Sequence, residues 1–200
     1  MSLIPEFELG LWNAWILALL MFLIIIGLSQ LVIRLFFGSR RSQESSKRHS
    51  AKPKLSEREK KLDHLSTITL LALLGYSVFL PLELGTGWLY AGLFVYVMSM
   101  IFGFIAMISF AQAPLDKPAT KGVYSISRNP MYFSMFLIFI GISLACASWL
   151  FLLLTMIWMF IADRGVVAEE RLCLETYGAA YREYMNRTPR WIGIPKSEKE

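Results

Sequence analysis

Residues 131–162 read MYFSMFLIFIGISLACASWLFLLLTMIWMFIA, 32 positions without a charge. As one helix this run would be about 48 Å long at about 1.5 Å per residue, too long for a simple crossing of a hydrocarbon layer about 30 Å thick. It is short of two full crossings at about 20 residues each. Its middle, Ala145-Cys146-Ala147-Ser148, consists of small residues that permit a tight turn. The run therefore reads as a helical hairpin, Pro130–Ala145 one way and Ser148–Asp163 back. Each arm barely spans and needs neighbouring helices. One long helix projecting beyond the membrane is the alternative.

Working outward, three earlier runs are also uncharged: Leu11–Ile33, Leu65–Leu82 and roughly Trp88–Phe110. The first is too long, and its Glu6 and Glu8 flank too acidic, for a cleaved signal peptide. Pro81 and Gly85-Thr86-Gly87 mark a turn between the second and third. Ser56 before Glu57 and Glu59 predicts a short interfacial helix that runs into the second span. Leu172, Tyr177, Tyr181, Tyr184 and Met185 keep helical spacing after the hairpin. The predicted fold is an all-α integral membrane protein with about five transmembrane helices, the last two a hairpin, followed by a C-terminal cytosolic helix. Residues 1–110 would hold three spans and a basic linker at 38–61; residues 111–200 would form the functional region.

Charge sets the expected topology. None of the 20 Lys and Arg precedes Arg34, none lies between Leu62 and Asp116, and nine lie between Gly38 and Lys61. The positive-inside rule places 38–61, 111–129 and the tail after Asp163 in the cytosol, with the N-terminus outside. Arg34, one turn before the end of the first span, can snorkel to the interface. Membrane lipids are the expected partners: anionic head groups would meet Arg40, Arg41, Lys47, Arg48, Lys52 and Lys54, unless these charges only orient the chain. The net charge of +5 does not suggest nucleic acid, because the aromatics sit in apolar runs rather than among the basic residues.

With 56% hydrophobic and 18% charged residues, the chain departs from the roughly 45–50% and 25% of soluble domains. Disorder, collagen and a disulfide scaffold are excluded. Cys146 and Cys173 have no metal-ligand or CxxC spacing, and His49 and His64 are too few for a multi-histidine metal site.

Two polar segments flank the hairpin. In Gly122-Val123-Tyr124-Ser125-Ile126-Ser127-Arg128-Asn129-Pro130-Met131-Tyr132, Asn129 suits an N-cap and Pro130 the first helical position. The free N–H groups and positive dipole end of such a helix start attract anions. Arg128 adds a forked donor, and Tyr124 and Tyr132 offer flat rings for an adenine or similar group. The same three side chains would also serve as interface anchors on a capped helix. In the second segment, Asp163 to Arg171, helix spacing puts Glu169 nearly in line with Gly165 and Ala162, with Glu170 about 100° away. One carboxylate would face a cavity and the other solvent. Alternatively the pair is a solvated turn balanced by Arg164 and Arg171. A hairpin returns Asn129 and Asp163 to one face, so both segments would share a rim. Such a rim suits a ligand with both an anionic and a cationic group.

These residues resemble the isoprenylcysteine carboxyl methyltransferase and phospholipid methyltransferase superfamily. The resemblance lies in Gly122, Tyr124, Arg128, Asn129, Pro130 and Tyr132, a hairpin, then Glu169, Glu170, Tyr177, Gly178, Tyr181, Tyr184 and the late Arg190. It covers about residues 112–195. It implies an integral-membrane methyltransferase that uses S-adenosylmethionine, held by Tyr124, Asn129, Pro130, Tyr132 and Glu169 with Arg128 and Glu170 alongside. The acceptor would be a lipid or prenylated molecule, with Glu169, Glu170 or Asp163 as base for an amine and Arg164 to hold a carboxylate or phosphate. The chain has Asn129 where the carboxyl methyltransferases have His, and Gly165 where the substrate Arg usually stands, with Arg164 one residue early. Where those relatives carry an upstream cofactor patch it reads Asp116-Lys117-Pro118-Ala119. A nicotinamide-dependent sterol-type reductase, with Lys117, Lys121 and Arg187 for a 2′-phosphate, and a non-enzymatic membrane scaffold are the competing readings.

Overall fold

The computed structural model describes residues 9–35, 38, 43, 53–114 and 116–195. Arg40, Arg41, Lys47, Arg48 and Lys52 lie outside them, as does the larger part of the expected linker. Among the described residues the chain is mainly helical, and an isolated bridge joins Asn13 and Pro81.

Helix α1 spans Trp15–Leu35, with a π-helical stretch at Phe22–Leu28. Helix α2, Glu57–Ser77, starts as the sequence predicts: the Ser56 hydroxyl accepts from the Glu59 N–H, and the Glu59 carboxylate accepts from the Ser56 N–H. Helix α3 is Gly87–Gln112, capped by the Thr86 hydroxyl. A 3-10 turn at Gly122–Ser125 leads to α4, Pro130–Ala145, and then α5, Trp149–Tyr177, and α6, Ala179–Arg187.

Three of these helices, α1, α3 and α5, are long and apolar enough to cross a membrane. The sequence predicts about five crossings, and the difference has local causes. The run Leu65–Leu82 is not one helix: α2 ends at Ser77, four residues before Pro81, which cannot donate a helical hydrogen bond. The chain from Val78 to Leu82 turns back on the N-terminal segment instead. There Asn13 Nδ2 donates to the Val78 carbonyl (2.7 Å), Ala14 N–H to Leu80 (2.9 Å) and Leu82 N–H to Trp12 (3.0 Å). Helix α4 is apolar but only 16 residues long.

Cys146, Ala147 and Ser148 join α4 to α5, with Ala147 at φ +45°. Ser148 N–H donates to the Ser143 carbonyl (2.9 Å), and the Ser148 hydroxyl caps α5 at Phe151 (3.2 Å). Helix α5 does not end at Asp163. It runs on through both glutamates to Tyr177, because nothing from Asp163 to Tyr177 breaks a helix except the tolerated Gly165. The predicted helical tail is divided at Gly178, whose φ of +55° ends α5 and starts α6.

Helix α4 packs mainly on α3, and α2 packs on α5. The α3–α4 seam depends on glycine: a Cβ at Gly141 would lie 2.7 Å from the Tyr96 amide nitrogen, and one at Gly92 2.6 Å from the Gly141 carbonyl oxygen. Close backbone approach through small residues is how helices associate where lipid removes the hydrophobic drive. Around this seam Phe139 meets Trp158 edge to face (5.6 Å) and Phe151 (6.2 Å), all three buried. Leu19, Phe94, Ile101, Leu153 and Phe160 point outward and stay exposed, which suits a lipid surround.

Candidate active site

The site is assembled where the chain enters α4. Gly122 opens the approach at φ +64°, where a Cβ would come within 2.8 Å of the Ser109 hydroxyl. The next residues are joined to the tail after α6. Arg128 N–H donates to the Pro189 carbonyl (3.0 Å), Gly193 N–H to Ile126 (3.1 Å) and the Ser127 hydroxyl to Arg190 (3.4 Å). From α6 the Tyr184 hydroxyl donates to the Tyr124 carbonyl (2.6 Å). Burial raises the Tyr184 phenol above its ordinary pKa, so the donor persists at neutral pH.

Pro130 takes the first position of α4 as predicted, with Asn129 as N-cap residue, but the Asn129 side chain makes no capping bond. Its amide reaches across to α5, donating to Glu170 Oε1 (3.3 Å) and to the Arg190 carbonyl (3.4 Å). Glu170 is buried and also meets Arg128 Nη2 at 3.4 Å and Arg190 Nη2 at 3.0 Å. Arg190 Nη1 continues to Asp163 Oδ1 at 3.4 Å. Burial alone would lower the Arg190 pKa; the bond to Glu170 and the nearby Asp163 outweigh it, and the net shift is upward. Glu169 points elsewhere on α5, half-buried, and accepts from the Tyr132 hydroxyl at 2.6 Å. The expected division between the two carboxylates is therefore altered. Glu170 is fully engaged by cations, and the more accessible Glu169 is held by one phenol.

Residues 84–180 match a family model described as phospholipid methyltransferase. That region is similar to a methyltransferase family. No curated protein gives a match. The matched region begins before α3, which the sequence motifs leave out, and ends before Arg190.

Within the matched region, Arg128, Asn129, Tyr132, Glu169 and Glu170 come together through the contacts above. Pro130 is buried beneath them. Tyr124 is buried as well, its ring tilted against Phe110 at 6.2 Å, so it supports the loop by its carbonyl and its packing. Arg164 is exposed, with its guanidinium over the Phe160 ring at 5.4 Å. The set of site residues read from the sequence lacks Arg190, although it stands in the motif pattern as the late Arg. Its position next to Trp191 in the tail gave no hint that it would close on Glu170, 20 residues earlier. Ser127, Asp163 and Tyr184 join the same network.

Proposed function

We propose that this protein transfers a methyl group from S-adenosylmethionine to a lipid or lipid-borne acceptor at the cytosolic face of a membrane. One observation carries the reading: Asn129 and Tyr132, at the start of α4, hydrogen-bond to Glu170 and Glu169 on α5. In this reading the two polar motifs share a single rim, the arrangement that a hairpin of α4 and α5 would give. In this reading α4 and the apolar part of α2 complete five crossings, with the N-terminus outside and the basic segments in the cytosol. Residues 111–200 supply the cofactor-binding part.

The donor set suits that cofactor. Arg128 Nε and Arg190 Nε are buried and have no hydrogen-bond partner among the described residues. A buried guanidinium nitrogen left in this way calls for an acceptor, and an amino-acid carboxylate supplies one. Glu169 offers the opposite charge for a sulfonium or ammonium group. When bound, S-adenosylmethionine supplies an electrophilic methyl group on sulfur. The chain's own residues orient and shield. Asn129 and Glu170 fix the Arg128 and Arg190 forks, Tyr132 fixes Glu169, and the apolar helices exclude water, which strengthens the charge interactions inside. A carboxylate acceptor needs no base. For an amine acceptor this reading has Glu169 take the proton, supported by an Oε2 that meets no protein donor among the described residues. In this reading Arg164, exposed on α5, holds a phosphate or carboxylate of the acceptor.

The test is labelled methyl incorporation from S-adenosylmethionine into lipid extract or a prenylated thiol, wild type against Glu169→Gln. Loss of incorporation in the variant supports the role of Glu169; equal incorporation removes it from the mechanism. Thermal stabilisation by NADPH, with none by S-adenosylhomocysteine, would favour a reductase.

A further inference from the structure

The stretch Trp191-Ile192-Gly193-Ile194-Pro195 lies beyond the matched region and directly follows Arg190 of the site network. Its backbone is held, because Gly193 N–H donates to the Ile126 carbonyl at 3.1 Å. Its bulky side chains are open. Ile192 is 52% exposed and Ile194 93%. Two isoleucines left uncovered on either side of an anchored glycine form an apolar surface that favours cover.

Two helices give the level at which this stretch sits. The loop that holds Gly193 packs on the last turns of α3: the Tyr124 ring meets Phe110 at 6.2 Å, and a Cβ on Gly122 would come within 2.8 Å of the Ser109 hydroxyl. Both contacts lie within one turn of Gln112, where this apolar helix ends. From the other side, Arg190 meets Asp163 at 3.4 Å, and Asp163 is the first charged residue of α5. Both α3 and α5 are long and apolar enough to cross a membrane, so the tail sits where hydrocarbon gives way to head groups. Helix α5 also gives a direction. Phe160 and Val167, three residues before Asp163 and four after it, share its face and are exposed. Arg190 therefore reaches Asp163 on an outward-facing apolar stripe, and the residues that follow Arg190 add to it.

We propose that Trp191, Ile192 and Ile194 dock into the head-group boundary of the membrane that α3 and α5 cross, and that this lipid contact holds the tail, with Arg190, against the site. Tryptophan suits such a boundary, with an apolar ring and a polar N–H, and the two isoleucines add apolar area to bury. A second copy of the chain is the other candidate for cover; the level of the segment, at the ends of two spans, favours lipid. The inference goes beyond the methyltransferase reading and does not depend on it.

The experiment uses the full chain in nanodiscs loaded with one copy each, so that no second copy can cover the segment. An environment-sensitive fluorophore is attached at Pro195→Cys in a Cys173→Ser background; Cys146 is buried. Lipids brominated high on the acyl chain should quench the fluorophore when the tail is otherwise wild type. Ile192→Ser/Ile194→Ser should cut this quenching about threefold or more, and trypsin cleavage after Arg190 should rise by a similar factor. Ile192→Leu/Ile194→Leu should keep both values of the wild-type tail. No quenching of the wild-type tail, quenching or cleavage unchanged in the serine variant, or an equal change in the leucine variant overturns the inference. None of these readouts involves methyl transfer, so failure here leaves the methyltransferase reading standing.

Discussion

The Tyr132 hydroxyl donates a 2.6 Å hydrogen bond to the Glu169 carboxylate, linking two helices across 37 residues of chain. This bond holds an accessible carboxylate in one orientation beside a residue that starts α4. If Glu169 acts on the bound groups, its charge matters more than its shape. Glu169→Gln should lower methyl incorporation by about 100-fold or more, whereas Tyr132→Phe should cost less, since it removes orientation and keeps the charge. Initial rates of label transfer check both; a Tyr132→Phe rate below that of Glu169→Gln would contradict the ranking.

Glu170 has a different task. Three donors, from Arg128, Asn129 and Arg190, converge on its buried carboxylate. Glu170→Ala would leave the Arg128 guanidinium without its carboxylate and Arg190 with Asp163 alone, and loss of one partner of a buried ion pair costs about 3–5 kcal/mol. The melting temperature should fall, and the tail from Thr188 to Pro195 should become more sensitive to protease. A melting curve that matches the wild type would show that the network does not hold the tail.

The glycine seam gives a prediction about assembly of the helices. Gly141→Ala places a methyl group 2.7 Å from the Tyr96 amide nitrogen, a backbone atom that cannot move aside independently. Overpacking of this kind costs about 1–3 kcal/mol. Thermal unfolding in detergent measures it; Gly75→Ala, with open space around its Cβ, is the control and should leave stability nearly unchanged.

The clasp between α2 and α5 should respond to acid. The hydrogen bond from Arg171 holds the Glu59 carboxyl down to about 2 from an ordinary 4.5. A lowered folded-state pKa means that the contact contributes fully above about 4.5 and is lost as pH falls through about 2. Spin labels on the first turn of α2 and on α5 near Arg171 should keep one distance from pH 8 to 5 and separate only in strong acid. A change between pH 8 and 6 would contradict this assignment.

What the sequence disclosed follows how local each signal is. The starts of α2 and α4 were legible because Ser56 with Glu59, and Pro130, act within one turn. The apolar runs identified the membrane helices by composition alone. The end of α2 was not legible, because Val78 to Leu82 is held by hydrogen bonds to Trp12, Asn13 and Ala14, more than 60 residues earlier. Asn129 read as a cap for the same reason: its true partners, Glu170 and Arg190, are 41 and 61 residues away. Glu169 and Glu170 were recognisable as a pair. Which of them would be engaged by arginines depended on the return of the tail, which no short-range pattern encodes.

The central claim is that the start of α4 and the glutamates of α5 hold one S-adenosylmethionine. Calorimetric titration of S-adenosylhomocysteine into the purified full chain in nanodiscs tests it most directly. Saturable binding at one site per chain, weakened at least about tenfold by both Arg128→Met and Glu169→Gln in folded protein, is the expected result. Absence of binding to the wild type, or binding indifferent to both substitutions, would contradict it.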